Sequence, residues 1–247
     1  MINPYLRPPV RDTFPNSVEV ADALSLAWQA RVLDWITSEE ASLPNKHLVA
    51  QNYCNFYSSV RGLLPGISIV NFRRYAYPEA VLCNYGVGSA PSYDETGTLG
   101  HEDAAYLRQA WNLVLSGGSV FDHLDYSFSP GHEDGSDTAP NGPGGGSPAL
   151  RQQLRILSDF LGSFSLADLR PDSQTIQHAA GVIPHALSDT KGHFAFYFDG
   201  KGRMEVNLNL PSGDYPAECI SVSTRETTKR EKFQYRGGEK TAASPPI

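Results

Sequence analysis

Along the first two thirds of the chain, apolar residues recur at helical spacing and are interrupted by short apolar runs. That alternation predicts βα units around a parallel sheet from about Val18 to Ser163. The first helical stripe is Leu24, Ala27, Trp28, Val32, Trp35 and Ile36; it ends before Pro44 and leads into a strand over His47–Tyr53. A second strand is expected over Ile67–Phe72, after which Pro78 opens a short helix running through Tyr85. The third strand is Ala90–Glu95. A helix with Leu107, Ala110, Trp111, Val114 and Leu115 on one face follows it, closed by Gly117 and Gly118. A fourth strand is expected over Val120–Phe128, with His123 and Asp125 on one of its faces. Ser129–Ser147 is dominated by Gly, Pro, Asp and Ser and reads as a long loop over the strand ends. Ser147 and Pro148 then supply an N-cap and first helical residue for a stripe of Leu150, Leu154, Leu157, Leu161 and Phe164.

After Arg170-Pro171 the period shortens to two, in His193–Phe198 and Arg203–Leu210. Asp199–Gly202 and Pro211–Asp214 read as hairpin turns, so this tail is expected to be an antiparallel meander or sandwich with Phe194, Phe196 and Phe198 in its core. The pattern places a domain boundary between residues 1–168 and 169–247.

Composition narrows the function classes. A length of 247 residues with 40% apolar content is enough to build real cores. A formal net charge of −7 argues against a nucleic-acid binder, which would show a basic face. The three cysteines, Cys54, Cys83 and Cys219, are widely spaced and fit no metal motif, so each is expected to be a small buried hydrophobe. No stretch is long and apolar enough to span a bilayer, and the first residues lack a signal-peptide run; as written, the chain is expected in the cytoplasm. No cofactor is expected: Gly142–Gly146 lacks the Lys-Ser/Thr ending of a phosphate loop. His132, Glu133, Asp134 and Asp137 are hard-oxygen candidates for calcium, but such acidic loops are ordinarily solvated, and no metal is expected.

In parallel α/β folds ligands bind at the C-terminal ends of the strands. Those ends offer Gln51 and Asn52; Asn71 with Tyr75 and Tyr77; Tyr93, Asp94 and Glu95; and His123, Asp125 and Tyr126. Amides and carboxylates bond hydroxyls, and aromatic faces stack on sugar rings, so the mixture suits a neutral polyhydroxylated ligand. The tyrosines are explained equally well by core filling, and His123 and Asp125 by an inward polar pair.

The segments Leu48–Asn52, Asn71–Pro78, Tyr93-Asp94-Glu95-Thr96-Gly97 and Asp122–Phe128 followed by Gly131–Gly135 resemble the last four strands of a clan A glycoside hydrolase barrel. More closely, they resemble a bacterial cellulase-like family with a C-terminal β-sandwich, sometimes labelled a collagen-binding domain. The resemblance covers nearly the whole chain, and Asp-Glu-Thr-Gly after a short strand is its sharpest element. It implies an α/β fold: the C-terminal half of a TIM barrel over about four βα units, followed by a small antiparallel β-sandwich. It also implies retaining hydrolysis of O-glycosyl bonds in a poly- or oligosaccharide, with Glu95 as nucleophile; the strand-end residues Gln51, Asn52, Asn71, Tyr75, Tyr93, His123, Asp125 and Tyr126 are the substrate-binding candidates. The family's acid/base lies in an Asn-Glu-Pro-like motif; Asn3-Pro4-Tyr5 is similar to it but holds no Glu. The expectation is therefore a fragment that is weak or inactive alone and is completed by an N-terminal half-barrel, or that self-associates through open sheet edges. Two rivals stand beside it. One is a non-catalytic carbohydrate-binding or scaffold module, and the other an esterase-like hydrolase, against which the absence of a Gly-x-Ser-x-Gly elbow counts. For Glu95 alone, the alternative is a structural carboxylate that caps the helix following Gly97 or pairs with a nearby Arg.

Overall fold

The computed structural model describes residues 17–53, 60, 63–73, 77–200, 202, 204–238 and 240–243. The fold is mixed α/β, with one parallel sheet and three antiparallel ones. Contacts divide the chain into two compact units: residues 1–98 with 118–124, and residues 99–117 with 125–247.

The first unit contains helix α1 (Ser17–Glu39), strands β1 (Ala50–Tyr53) and β2 (Ile69–Arg73), helix α2 (Glu79–Asn84), and strands β3 (Ala90–Asp94) and β4 (Val120–Phe121). The four strands are parallel and lie in chain order, β1-β2-β3-β4. Register fixes the two faces of this sheet. Gln51, Val70 and Pro91 are aligned, as are Tyr53 and Phe72 with Tyr93 on the same side, and these side chains are buried. Phe72 and Tyr93 meet edge to face at 6.5 Å. The other face carries Asn52, Asn71, Arg73, Ser92 and Asp94. One face is thus apolar apart from Gln51, and the other is polar toward the C-terminal ends of its strands. Helix α2 packs against β3 and buries Ala80, Val81 and Asn84, which turns Cys83 outward. The expectation of buried cysteines fails there; Cys219 is half-buried, and Cys54 lies outside the described residues.

Strand β4 is two residues long and not nine, for a local reason. Asp122 Oδ1 accepts from the Leu124 amide at 2.8 Å, and Leu124 sits at φ 57°. Asp125 Oδ1 accepts from the Ser127 amide at 2.9 Å. Each aspartate draws the backbone into a turn of its own, and the strand stops. His123 and Asp125 consequently do not share a strand face.

The second unit holds α3 (Asp103–Leu115), α4 (Pro148–Leu161) and strands β5 (Arg170–Pro171), β6 (Ile176–Ala179), β7 (Ile183–Ser188), β8 (Phe194–Asp199), β9 (Glu205–Leu208), β10 (Gly213–Ile220), β11 (Thr227–Tyr235) and β12 (Lys240–Ala243). The predicted cap is present: Ser147 Oγ accepts from the Leu150 amide at 2.9 Å, with Pro148 in the first turn. The antiparallel sheets run β5-β7-β8, β12-β9-β6 and β10-β11. Strands β8 and β9, and likewise β9 and β10, therefore belong to different sheets and form no hairpins at Asp199–Gly202 and Pro211–Asp214; the paired hairpins are β7-β8 and β10-β11. Met204, Val206, Leu208, Leu210 and Tyr235 form a core against which Phe194, Phe196 and Phe198 pack. The alternate residues of β8 meet the helices. Tyr197 stacks on Trp111 at 5.5 Å, Trp111 lies 5.4 Å from Phe160, and Asp199 accepts from Asn112 Nδ2 at 2.9 Å. These contacts place α3 and α4 in the same unit as the β-strands, so the contact boundary falls inside the stretch whose periodicity reads as βα units.

Candidate functional site

The polar face of the parallel sheet concentrates its chemistry at the C-terminal ends of β1, β2 and β3. Asn71 Nδ2 donates to Asn52 Oδ1 at 2.9 Å, and Asn52 Nδ2 donates in turn to Asp94 Oδ2 at 3.4 Å. Strands β1 and β3 are separated by β2, a span of roughly 9.6 Å in a flat sheet. Two short side chains bridge that span only if the sheet curls toward them, so the polar face is concave.

Glu95 follows directly on β3. Strict alternation would turn it away from Asp94, onto the apolar side. Its backbone instead adopts φ 53°, in the left-handed region that non-glycine residues rarely occupy. Its carboxylate then meets Arg73, with Nη2 to Oε2 at 2.5 Å. Arg73 is on the polar face, in register with Asp94. The side chains of this pair are 19% and 29% exposed, so the ion pair is partly shielded yet within reach of a ligand.

Asp122 completes the acidic edge. Its amide donates to Tyr93 O at 3.1 Å, and its carbonyl accepts from the Thr96 amide at 3.3 Å, which fastens the end of β4 to the end of β3. Burial holds the Asp94 carboxyl above the ordinary carboxylate range; the charges of Glu95 and Asp122 push the same way, and Arg73 opposes them. Glu95 and Asp94 thus sit in different surroundings, one ion-paired to Arg73 and the other with its pKa raised chiefly by burial.

The expected site residues separate into groups. Asn52 is brought to Asp94, and Asn71 to Asn52. Gln51 and Tyr93 are 1% exposed and lie on the opposite, apolar face. His123 is buried and stacked on Phe121 at 6.0 Å. Asp125 and Tyr126 belong to the second unit. There Asp125 is ion-paired to Arg151 at 2.7 Å, and the Tyr126 amide donates to Gly145 O at 3.2 Å. Tyr75 and Asn3-Pro4-Tyr5 lie outside the described residues, whereas Tyr77 is exposed. Sequence reasoning missed Arg73 and Asp122. Arg73 was legible as the next polar-face position after Asn71, two residues on. Asp122 was legible as the first polar residue after the short run Val120-Phe121.

The acidic loop keeps its carboxylates to itself: Glu133 accepts from the Gly131 amide, Asp134 from Ser136, and Asp137 from Ala139 and Ser129. Among the described residues no group of three or more His, Cys, Asp or Glu side chains is placed to hold a metal ion, and no helix is long and apolar enough to cross a membrane.

No protein-family model matches the chain, and no curated protein does. Among solved structures, the chain is similar to a glycoside hydrolase family 5 protein from Bacteroides vulgatus. The identity is 13% and the TM-score 0.46, over 91% of this chain and 57% of that one. A second structure, described as a glycoside hydrolase, matches at 16% identity and a TM-score of 0.32, over 72% of this chain and 41% of that one. The chain therefore spans less than two thirds of the length of either protein.

Proposed function

We propose that the concave polar face is a carbohydrate site of retaining O-glycosyl hydrolase type, with Glu95 as the nucleophile, on strands that correspond to part of a TIM-type barrel. The observation that carries the reading is the strand-end geometry of Glu95. A left-handed backbone brings its carboxylate to Arg73, on the polar face that also carries Asn52, Asn71 and Asp94. Strained backbone at a strand end is the kind of feature that persists where geometry serves chemistry. A sheet whose parallel strands run in chain order without reversal, and which curls toward one face, agrees with the barrel reading.

In this mechanism Glu95 Oε attacks the anomeric carbon, the glycosidic C–O bond breaks, and the leaving oxygen takes a proton from an acid. Water, deprotonated by the same group, then releases the sugar. The acid must lie about 5–5.5 Å from the nucleophile. In this proposal a complementing half-barrel supplies it, so the chain alone hydrolyses ordinary glycosides feebly.

A leaving group that needs no proton isolates the nucleophile. Dinitrophenyl 2-fluoroglycosides of several sugars are incubated with the chain, and the intact mass is followed. The expected result is a covalent glycosyl adduct that maps to Glu95 and disappears in Glu95→Gln. An adduct of undiminished yield in Glu95→Gln, or no adduct with any sugar, overturns the assignment; sugar binding without an adduct would point to a non-catalytic module.

A further inference from the structure

The parallel sheet ends differently at its two edges. Strand β4 stops after two residues, where Asp122 accepts from the Leu124 amide and Leu124 takes a left-handed φ. That edge is blunted by its own sequence. Strand β1 carries no such device. Its residues, Ala50–Tyr53, include no charge and no proline, its register with β2 has no bulge, and among the described residues no strand lies beyond it.

The direction of the main-chain groups at this edge follows from the ladder. Val49 O accepts from the Ser68 and Ile69 amides at 2.9 and 3.2 Å, so residue 49 faces β2. In a parallel ladder the main-chain groups of successive residues point to opposite sides. Gln51 and Tyr53 therefore bond β2, and the N–H and C=O of Ala50 and Asn52 point away from the sheet. Ala50 is exposed.

Beside the same edge lies a slot of about 240 Å³, walled by Val32, Leu33 and Ile36 of α1 and by Val49, Ala50 and Ile67. Its size is informative, because small-molecule sites run to roughly 300–1,000 Å³ while about 150 Å³ already encloses a benzene ring. The slot has room for one large apolar side chain. The edge says what carries that side chain: donors and acceptors that recur every second residue, roughly 6.6 Å apart, match the main chain of another strand. A helix spends those groups internally and cannot answer them.

We infer that the free edge of β1 is a strand-addition site. It takes an extended polypeptide segment that pairs with Ala50 and Asn52 and sets one large apolar side chain into the slot beneath α1. Main-chain bonds supply the attraction and the slot supplies the selectivity. The inference does not rest on the reading of Glu95.

The test is calorimetric titration of the full chain with capped hexapeptides built of Thr and Ser, except for Leu, Phe, Ala or Lys at the fourth position. The Leu and Phe peptides are expected to bind most tightly, and those with Ala or Lys at least about fivefold more weakly. Saturation with the Leu peptide should slow hydrogen exchange at the Ala50 and Asn52 amides and leave the Gln51 amide, already paired within the sheet, unchanged. Ala50→Pro removes a donor that the sheet does not use, so far-UV circular dichroism should be unaltered while affinity falls about tenfold. N-methylation of the peptide gives the same information from the other side: one alternate set of amides should be needed and the other not. Absence of binding by every peptide at millimolar concentration overturns the inference. So do equal affinities for Leu and Lys, undiminished binding by folded Ala50→Pro, or indifference to both N-methylation patterns.

Discussion

Glu95→Gly should leave the protein more stable than Glu95→Gln, the reverse of the order expected at ordinary positions. The reason is the φ of 53° at residue 95. A side chain with a Cβ pays roughly 1–2 kcal/mol to sit in the left-handed region, and glycine does not. Both substitutions remove the ion pair with Arg73, so that loss cancels between them. It is about 1 kcal/mol, because solvent still reaches both side chains. Glycine loses about 0.5–1 kcal/mol through the greater freedom of its unfolded chain. What remains is a net preference of about 0.5–1 kcal/mol for glycine, where a relaxed position would show a similar preference for glutamine. Urea denaturation at neutral pH measures the difference directly; in thermal melts of a chain of this size, each kcal/mol corresponds to about 2–4 °C in midpoint. A glycine variant no more stable than the glutamine variant would refute the claim that residue 95 is strained. Because both variants remove the carboxylate, both also lose the proposed chemistry, and the comparison between them reads the backbone strain alone.

Asp94→Asn should stabilise the protein at neutral pH and have little effect in acid. The folded state raises the Asp94 carboxyl above its unfolded value, chiefly by burial and then through Glu95 and Asp122. Wild-type stability therefore falls as pH climbs through the ordinary aspartate range and levels off above the folded value. Parallel pH series of chemical denaturation on the two proteins check this; identical curves would rule it out. Gly146→Ala should destabilise by about 2 kcal/mol or more, because a Cβ there would meet Asp125 Oδ1 at 1.7 Å and displace a carboxylate held by Arg151. Thermal melts would show it. In the β7-β8 hairpin, Asp189 accepts from the amides of Lys191 and His193 at 2.8 and 2.9 Å and pairs with the His193 ring, which holds its pKa down to about 2. NMR titration should find that low value, and the stabilisation should be present above the ordinary aspartate range and lost as pH falls toward 2. In His193→Ala the value should move back up, since the ring bond is its largest cause.

What could be read from the sequence was local. The stripes of α1, α3 and α4, and the Ser147 cap, depend on neighbours within a turn or two, and all are present. Strand β4 was overextended because alternating apolar residues from Val120 to Phe128 outweighed two aspartates that bend the backbone for themselves. The assignment of α3 and α4 to the β-rich unit depends on Trp111 stacking on Tyr197, eighty-six positions later, and no periodicity announces such a contact. At the candidate site, adjacent residues such as Gln51 and Asn52 could not both face the ligand from one strand. Strand parity leaves Asn52 on the polar face with Asn71 and Asp94 and turns Gln51 to the core.

The same parity rule makes residue 95 the hinge of the whole site. Asp94 and Glu95 are consecutive, so in a continuing strand one carboxylate would face the concave polar surface and the other the apolar layer occupied by Phe72 and Tyr93. Burying a carboxylate in that layer without a partner would cost several kcal/mol, far more than the roughly 1–2 kcal/mol of a left-handed residue. The chain therefore leaves the strand at Glu95, and Arg73, in register with Asp94, receives the redirected carboxylate. That solution leaves Asp94 close to the charges of Glu95 and Asp122 with Arg73 as the counter-charge, and after burial, the largest cause, those charges add to the rise in the Asp94 pKa. Strain and unbalanced charge thus arise from one backbone angle, at the same strand end.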